Sequence, residues 1–206
     1  MSESYLIPAA NLLIEEEIKH SRFISYIFHC QSNDILKDVL AKLKVQYPGA
    51  NHYCYAFVAG APADSINIGS SDDGEPSGSA GRPMLATLQG SNVGEVGAIV
   101  VRYFGGTKLG VGGLVRAYSS GIKKGLQQLE TQLKQIRYPG ALVCGYHQLK
   151  DVEHLFAQFD VVVTNKDFTD SVSIQFVIPK CFKSKLNQEL ATMSQGQLVA
   201  VFEHTD

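Results

Sequence analysis

A glycine- and serine-rich segment contains three carboxylates in a span of four residues: Asp72, Asp73 and Glu75. Carboxylates this close together could bind a divalent cation or act as a general acid and base. Asp and Gly also favour turns, in which such charges are simply solvated. The spacing does not match an EF-hand calcium loop. A structural role and a metal-binding or acid–base role therefore both stay open.

A second candidate is a glycine-rich turn over residues 105–113, with the sequence GGTKLGVGG. It lies between an apolar run and a helical pattern, where backbone N–H groups at a helix N-terminus attract anions. It lacks the Lys-Ser/Thr pair of a Walker loop, and Val115 stands where a dinucleotide fingerprint needs its third glycine. Two interpretations of these glycines stay open. They serve close packing alone, or they serve packing and also bind a phosphate-like ligand. The glycines assigned to a phosphate site are Gly105, Gly106, Gly110 and Gly112.

Basic residues cluster around this turn. Residues 82–137 carry a charge balance of +6, whereas residues 1–81 carry −5 and residues 138–206 carry −3. An overall charge of −2 therefore hides a basic segment that could bind RNA, the ribosome or an acidic protein surface. A solvated basic surface is the alternative. The predicted phosphate contacts are Arg102, Lys108, Arg116 and Lys123.

Two further arrangements concern the acidic loop and a possible nucleophile. Asp72 or Asp73 could pair with Arg102 or Arg82, in which case these charges are structural. His52 and Cys54 lie two residues apart in a strand-like run, so their side chains share a face. A Cys–His nucleophile is geometrically possible, but no third residue that would orient it stands out, and we expect structural burial.

The elements around these motifs follow a strand–helix–strand order. Residues 24–29 alternate like a strand, and Ser32 is the expected N-cap of the helix that follows. Residues 52–60 and 96–104 predict two further strands. The segment 69–83 between them lies inside one domain, so we expect an ordered loop rather than a linker.

One long helix is predicted over residues 112–133, because apolar residues recur there every three or four positions. At about 100° per residue, Arg116, Lys123 and Lys134 fall close together beside the apolar stripe. The helix would therefore present a basic edge next to the glycine-rich turn.

A turn signal marks the predicted boundary between an N-terminal domain, 1–137, and a small C-terminal domain, 138–206. The C-terminal domain shows the βαββαβ order of a ferredoxin-like fold. One face of its sheet is expected to be covered and the other polar, without the aromatic pair of a base-stacking RNA platform. Its six elements are predicted at residues 141–146, 149–156, 159–164, 168–178, 182–193 and 197–202.

Composition excludes several classes of protein. The 206 residues are 45 % apolar and 18 % charged, as in ordinary globular proteins. No apolar run approaches the length that spans a bilayer, and the first residues lack the features of a secretory signal. The four cysteines include no CxxC pair, which argues against a zinc ribbon or disulfide framework and predicts reduced, buried thiols. We expect a cytoplasmic protein without a membrane partner.

Two motifs together resemble the signature of the IMPACT family, most closely its bacterial YigZ-type members. The first is the loop 71–83, with the sequence SDDGEPSGSAGRP. The second is residues 101–106, VRYFGG, followed by Leu109-Gly110, Gly112-Gly113-Leu114 and Ala117-Tyr118. The resemblance covers essentially the whole chain. The signature-loop residues that it singles out are Asp72, Asp73, Gly74, Glu75, Pro76, Gly81 and Arg82.

The resemblance implies an α+β architecture with two domains. The N-terminal domain is expected to have a βαβ fold like domain IV of elongation factor G, which is ribosomal-protein S5 domain 2-like. The C-terminal domain is expected to have a ferredoxin-like βαββαβ fold like domain V of elongation factor G. The N-terminal fold is also shared with galactokinase-type enzymes, but the turn 105–113 has no serine to assist a metal ion.

Together these observations predict a non-enzymatic binding protein linked to translation regulation, with RNA, the ribosome or another polyanion on its basic glycine-rich face. One alternative is an enzyme that acts on a nucleotide or phosphorylated small molecule at residues 105–113, with Asp72, Asp73 or Glu75 on a metal ion. Another is a protein-interaction module with a translation-related partner. No catalytic residue, resident metal or cofactor is predicted, and the oligomeric state is left open.

Overall fold

In the computed structural model, which describes residues 4–62 and 64–202, the chain divides into two units. One is Tyr5–Lys134, and the other holds Ser4 and the residues from Gln135 onwards. Apart from the terminal residues Ser4 and Gln135, the first unit contains β1 Ser4–Pro8, β2 Leu12–Ile18, β3 Ser21–His29, α1 Asn33–Gln46, β4 His52–Val58, β5 Ile68–Ser71, α2 Gly81–Gln89, β6 Val96–Tyr103, α3 Val111–Gln128 and β7 Thr131–Gln135.

An antiparallel five-stranded sheet forms the centre of the first unit, in the order β2-β3-β6-β4-β5. Successive side chains of a strand point to opposite faces, so the sheet has a core on each side. Against one face pack α2 and α3, with Phe23, Met84 and Tyr118 in that core. Against the other packs α1, with Phe28 and Leu36. Ser32 caps α1 as expected, because its Oγ accepts the N–H of Ile35 at 3.3 Å.

The long helix ends earlier than its apolar pattern predicts. It stops at Gln128, and residues 131–135 form β7, which pairs with β1. The apolar spacing continues to Leu133, but pairing with a strand more than a hundred residues away decides the conformation. Lys134 therefore lies on a strand, where it forms an ion pair with Glu95, and not beside Arg116 on α3.

Two glycines allow α3 to approach the sheet closely. A Cβ at Gly121 would collide with Oγ of Ser25, and one at Gly125 with Cδ1 of Ile27. Both glycines are buried in the helix. Gly121 and Gly125 therefore allow the second half of α3 to pack closely on the sheet. This packing places the first half of α3 next to the turn between β2 and β3.

The second unit contains β8 Arg137–Cys144, α4 Leu149–Gln158, β9 Val162–Phe168, β10 Val172–Pro179, α5 Lys183–Ser194 and β11 Val201–Phe202. The predicted βαββαβ order is present, in one antiparallel sheet ordered β11-β8-β10-β9. Phe168 ends β9, whereas the sequence placed it at the start of the next strand. The last strand is two residues long, shorter than predicted.

The open face of this second sheet is less polar than expected. Val143 and Val201 are 57 % and 68 % exposed, beside Gln175 and Ser173 on neighbouring positions. Because β-branched residues fit a pleated strand even where they are exposed to solvent, the polar residues of one strand do not predict that the whole face of the sheet is polar. No helix within the described residues is long and apolar enough to cross a membrane.

Candidate anion-binding site

The Asp72 carboxylate is turned toward the backbone of its own loop. Its Oδ1 accepts N–H groups of Ala80 and Gly81 at 3.0 and 2.8 Å, and its Oδ2 accepts that of Gly78 at 2.8 Å. Gly81 begins α2, and no side chain at the N-cap Ala80 satisfies these donors. Burial alone would raise the pKa of Asp72, but these hydrogen bonds hold it below its usual value.

Asp73 fixes the turn to the start of β4, the strand that pairs with β5. Its Oδ2 accepts the Tyr53 N–H at 2.6 Å, and its carbonyl lies 2.8 Å from Nδ1 of His52. Asp73 and Gly74 have φ of 41° and 85°, a left-handed turn that glycine adopts without strain. Asp73 is therefore also engaged by the fold.

Glu75 joins three parts of the first unit. Its Oε1 accepts Nη1 of Arg102 at 2.5 Å and the hydroxyl of Tyr118 at 2.8 Å, and both bonds are buried. Nε2 of His52 lies 3.8 Å from the same oxygen. The loop is thereby tied to β6 through Arg102 and to α3 through Tyr118.

Arg102 is turned into the protein rather than toward solvent. It is only 4 % exposed, and Nη2 donates to Oγ of Ser21 at 3.3 Å. Its guanidinium lies over the rings of Phe23 and Phe104, at 5.3 and 5.6 Å from their centroids. The expected pairing of Arg102 with the acidic loop occurs with Glu75 instead of Asp72 or Asp73. The predicted contact of Arg102 with a phosphate is therefore wrong, because its guanidinium is buried and paired with Glu75.

This arrangement argues against a metal site in the acidic loop, because the carboxylates that would bind the ion are engaged within the protein. All three carboxylates are already hydrogen-bonded within the protein. Among residues 4–62 and 64–202, no group of three or more His, Cys, Asp and Glu side chains could hold a metal ion. The acidic loop is therefore organised as structure.

Cys54 and His52 do not form a nucleophile pair. The Cys54 thiol donates to the carbonyl of Asp72 at 3.0 Å and lies 3.4 Å from the Tyr118 hydroxyl. Burial raises its pKa to about 12, so the reactive thiolate is disfavoured. The expected structural burial is confirmed for Cys54. Buried thiols are also found at Cys30 and Cys144, but the prediction is wrong for Cys181, which is exposed.

The glycines of the turn 105–113 have different roles. A Cβ at Gly105 would collide with the backbone of His20, so close packing requires this glycine. Gly106 and Gly110 have φ of 83° and 73°. A Cβ at Gly106, Gly110 or Gly112 would meet nothing within 4 Å, so these three positions border open space.

The turn leads directly into the N-terminus of α3. Gly110 is its N-cap, and the first helical hydrogen bond runs from the Leu114 N–H to the Gly110 carbonyl. The N–H groups of residues 111–113 precede that bond and have no helical partner. The first turn of α3 has no acidic residue and no side-chain cap. This end of the helix therefore carries an uncompensated partial positive charge.

A groove of about 600 Å³ lies between this helix and the β2–β3 turn. Two of its lining residues are cationic: Arg116, which was predicted, and Lys19, which was not. Nothing in the local sequence links Lys19 to a site nearly a hundred residues later. The residues that line the groove are Ile18, Lys19, Leu109, Gly112, Gly113, Arg116, Ala117 and Ser120.

The remaining predicted basic residues lie elsewhere. Lys123 lines a different groove of about 410 Å³, with Thr87 and Ser91 of the α2 region and Gln127 of α3. Lys108 is exposed in the glycine-rich turn itself, and Arg82 is exposed at the start of α2. The structure thus brings Arg116 and Gly112 together with Lys19, and it separates Lys123 from them.

Comparison with known proteins places this geometry in a family. The model of the Impact N-terminal domain matches residues 19–126, more than half of the chain, including the acidic loop, β6 and most of α3. The chain belongs to the IMPACT family. A second match, to a domain of unknown function (DUF1949), covers residues 142–197. The two IMPACT signature stretches are those joined by the Glu75–Arg102 pair.

Relatives within the IMPACT family cover nearly all of the chain. It is 46 % identical over 203 residues to "IMPACT family member YigZ" of Escherichia coli (strain K12), covering 98 % of this chain and 100 % of the relative. An IMPACT family member of Haemophilus influenzae is 43 % identical, covering 95 % of each chain. A crystal structure described as that of a hypothetical protein is 44 % identical, with a TM-score of 0.79 and full coverage of both chains.

Proposed function

We propose that this chain is a non-enzymatic cytoplasmic protein that binds RNA or the ribosome and thereby regulates translation. The observation that carries the proposal is the convergence of Lys19 and Arg116 on a groove at the N-terminus of α3. A phosphate in this groove would meet two cationic side chains and the free N–H groups of the first helical turn.

The charge state of the groove supports a polyanionic partner. Lys124 and Lys134 form ion pairs with Glu16 and Glu95, so their charges are compensated within the protein. Among the described residues, no ion pair engages Lys19 or Arg116, and the exposed Lys108 adds a third cation in the adjoining turn. Uncompensated cations next to a helix N-terminus favour phosphate groups.

The architecture supports a link to translation. The second unit has the spatial order β11-β8-β10-β9 in one antiparallel sheet, as a ferredoxin-like fold requires. We infer that it resembles domain V of elongation factor G and that the first unit resembles domain IV. An enzyme acting on a nucleotide has less support, because Asp72, Asp73 and Glu75 are engaged by the fold.

The test is a salt titration of binding to a labelled single-stranded RNA and, in parallel, co-sedimentation with ribosomes. The double variant Lys19→Ala/Arg116→Ala should bind RNA more weakly and flatten the plot of log K against log salt. Each lost phosphate contact lowers that slope by about 0.7 to 0.9, so the double variant should lose about 1.5.

Lys123→Ala is the matched control, since it removes one cation from α3 outside the groove. It should leave the salt slope within error of the wild type. An unchanged slope in the double variant, or no binding to either RNA or ribosomes, would contradict the proposal.

A further inference from the structure

The central sheet has two edge strands that differ in how they meet solvent. β2 carries Glu15, Glu16 and Glu17, and the first two pair with Arg22 and Lys124. Charged side chains on an edge strand discourage pairing with another chain. The opposite edge, β5, has the sequence Ile-Gly-Ser-Ser and carries no charge.

The register of β5 shows which backbone groups face outward. The Ala59 N–H donates to the Asn67 carbonyl at 2.7 Å, just before β5 begins. Because hydrogen-bonded pairs alternate in an antiparallel ladder, Gly69 bonds toward β4, and Ile68 and Ser70 point their N–H and C=O groups away. Within the described residues, no hydrogen bond engages these outward groups of Ile68 and Ser70.

A groove of about 500 Å³ lies along this edge, on the face of the sheet that α1 covers. The ring of Phe57 covers Gly69, since a Cβ there would lie 2.5 Å from Cε1 of Phe57, and this ring lines the groove. Tyr55 and the 86 % exposed Ile66 add apolar walls, and Asn33 at the start of α1 adds a polar one. The groove can therefore take a large apolar side chain.

An added strand would place a side chain there. A residue opposite Gly69 on a new neighbouring strand would point to the same face of the sheet as Gly69 and Phe57. That face is the one on which the groove lies. Strand addition requires two features. These are outward-facing backbone groups that can form hydrogen bonds and a pocket that takes one of the side chains on that face of the added strand.

The charges at both ends of β5 indicate what kind of strand it would accept. Of the acidic side chains near β5, Glu75 is paired with Arg102, and Arg82 acts on Asp72. Among the described residues, no ion pair engages Asp64 or Asp73. Asp64 precedes β5, where hydrogen bonds from Asn67 and Ile66 lower its pKa and keep it ionised. Asp72 and Asp73 directly follow β5. A bound segment would thus meet negative charge at each end.

We propose that β5 and its groove bind an extended basic peptide segment of a partner protein by strand addition. An apolar residue of the segment enters the groove opposite Gly69, and flanking Lys or Arg residues lie near Asp64 and Asp73. A second copy of this chain is a poorer occupant. Antiparallel pairing of two β5 strands would bring the carboxylates of one copy against those of the other. This site lies at the other edge of the sheet from the groove at α3 and is independent of RNA binding.

The test uses the full chain and labelled synthetic peptides. One peptide has a Val-Phe-Val centre flanked by Lys, and a second has the same centre flanked by Glu. The Lys-flanked peptide should bind, and the Glu-flanked peptide should bind several-fold more weakly, with a difference that shrinks in high salt. A displayed library of random peptides, selected against the chain, should enrich apolar centres with Lys or Arg on both sides.

Two variants locate the binding. Ser70→Pro removes an outward N–H and blocks strand addition without breaking a bond to β4, so affinity for the Lys-flanked peptide should fall about tenfold or more. Ile66→Ala should weaken binding a few-fold. Val45→Ala is its matched control, because Val45 is an 83 % exposed apolar residue on α1 away from the groove. Thermal unfolding confirms that each variant is folded.

Several outcomes would overturn the proposal. These are a library that enriches nothing or enriches acidic peptides, and a folded Ser70→Pro variant that binds as well as the wild type. A dimer in solution that Ser70→Pro dissociates would assign β5 to self-association instead. Unchanged RNA binding in Ser70→Pro would keep this result separate from the function proposed above.

Discussion

Oε1 of Glu75 lies 2.5 Å from Nη1 of Arg102, with the two side chains only 3 % and 5 % exposed. This buried pair joins the acidic loop to the central strand β6, and the Tyr118 hydroxyl adds α3 to the same carboxylate. An ion pair so far from solvent is costly to break, because removing one partner leaves the other charge buried without compensation.

Arg102→Met should therefore lower the free energy of unfolding by about 3 to 5 kcal/mol, as urea denaturation measures it. The double variant Glu75→Gln/Arg102→Met removes both charges and should lose less than the single variant. Arg116→Ala, an exposed arginine on α3, is the control and should stay within about 0.5 kcal/mol of the wild type. A double variant less stable than Arg102→Met would contradict the role assigned to the pair.

Stability should fall in acid because of Glu95. Burial alone would raise the pKa of this carboxyl, but hydrogen bonds from Lys134, His29, Gln31 and Tyr5 outweigh it and lower the pKa from 4.5 to about 2. A carboxyl whose pKa is lower in the folded state than in the unfolded state contributes stability at any pH above its unfolded-state pKa. That contribution is fully present above about pH 4.5 and is lost as the pH falls through about 2.

Urea unfolding at a series of pH values between 6 and about 2 measures this loss. Glu95→Gln should be less stable than the wild type at pH 6 and should show a shallower decline in acid, since its side chain does not titrate. Parallel pH profiles for the two proteins would show that other groups cause the acid sensitivity.

Asp72 should act as a cap of α2 from outside the helix. Asp72→Ala leaves the N–H groups of Gly78, Ala80 and Gly81 without their acceptor and should cost about 1 to 3 kcal/mol. Asp72→Asn retains one acceptor oxygen and should cost less. Asp34→Asn, on an exposed residue of α1, is the control for loss of a carboxylate charge. Equal melting temperatures for Asp72→Ala and the wild type would exclude the capping role.

Two glycines of α3 should respond to alanine in opposite directions. Gly112→Ala adds a Cβ into open space at a helical position and should stabilise the protein by up to about 1 kcal/mol. Gly121→Ala places a Cβ against Oγ of Ser25, between the helix and the sheet, and should destabilise it by about 1 to 3 kcal/mol. Thermal unfolding measures both changes. A stabilising Gly121→Ala would disprove the close approach of α3 to β3.

The thiols should differ in reactivity. Burial raises the pKa of Cys30 to about 11 and that of Cys54 to about 12, whereas Cys181 is exposed. Ellman's reagent should therefore modify Cys181 rapidly in the folded protein and the other three thiols only after unfolding. The Cys181→Ser variant should lose the rapid phase. A rapid phase that persists in this variant would mean that a buried thiol is accessible.

Local sequence patterns predicted the elements whose formation depends on neighbouring residues. The alternation over 24–29, the Ser32 cap and the βαββαβ order of the C-terminal unit are all present. The pattern failed where a distant segment decides the conformation. Residues 131–135 join β1 as a strand, although their apolar spacing continues that of α3.

The candidate site shows the same division. Residue types and spacing were sufficient to single out the acidic loop, the glycine-rich turn and Arg116. Only the tertiary structure shows that Glu75 neutralises Arg102 and that Lys19 joins Arg116 in one groove. Whether a charged side chain is buried with a partner or free for a ligand depends on contacts between residues far apart in sequence.

The sequence by itself determined that this chain is an α+β protein with an IMPACT signature and a basic segment hidden under a near-zero net charge. The tertiary structure decided which of those charges remain available. In the folded chain Arg102 is buried, and Lys123 lies away from the glycine-rich turn. Lys19 and Arg116 line one groove. Composition counts charges, but burial and pairing in the folded chain determine the field that a ligand meets.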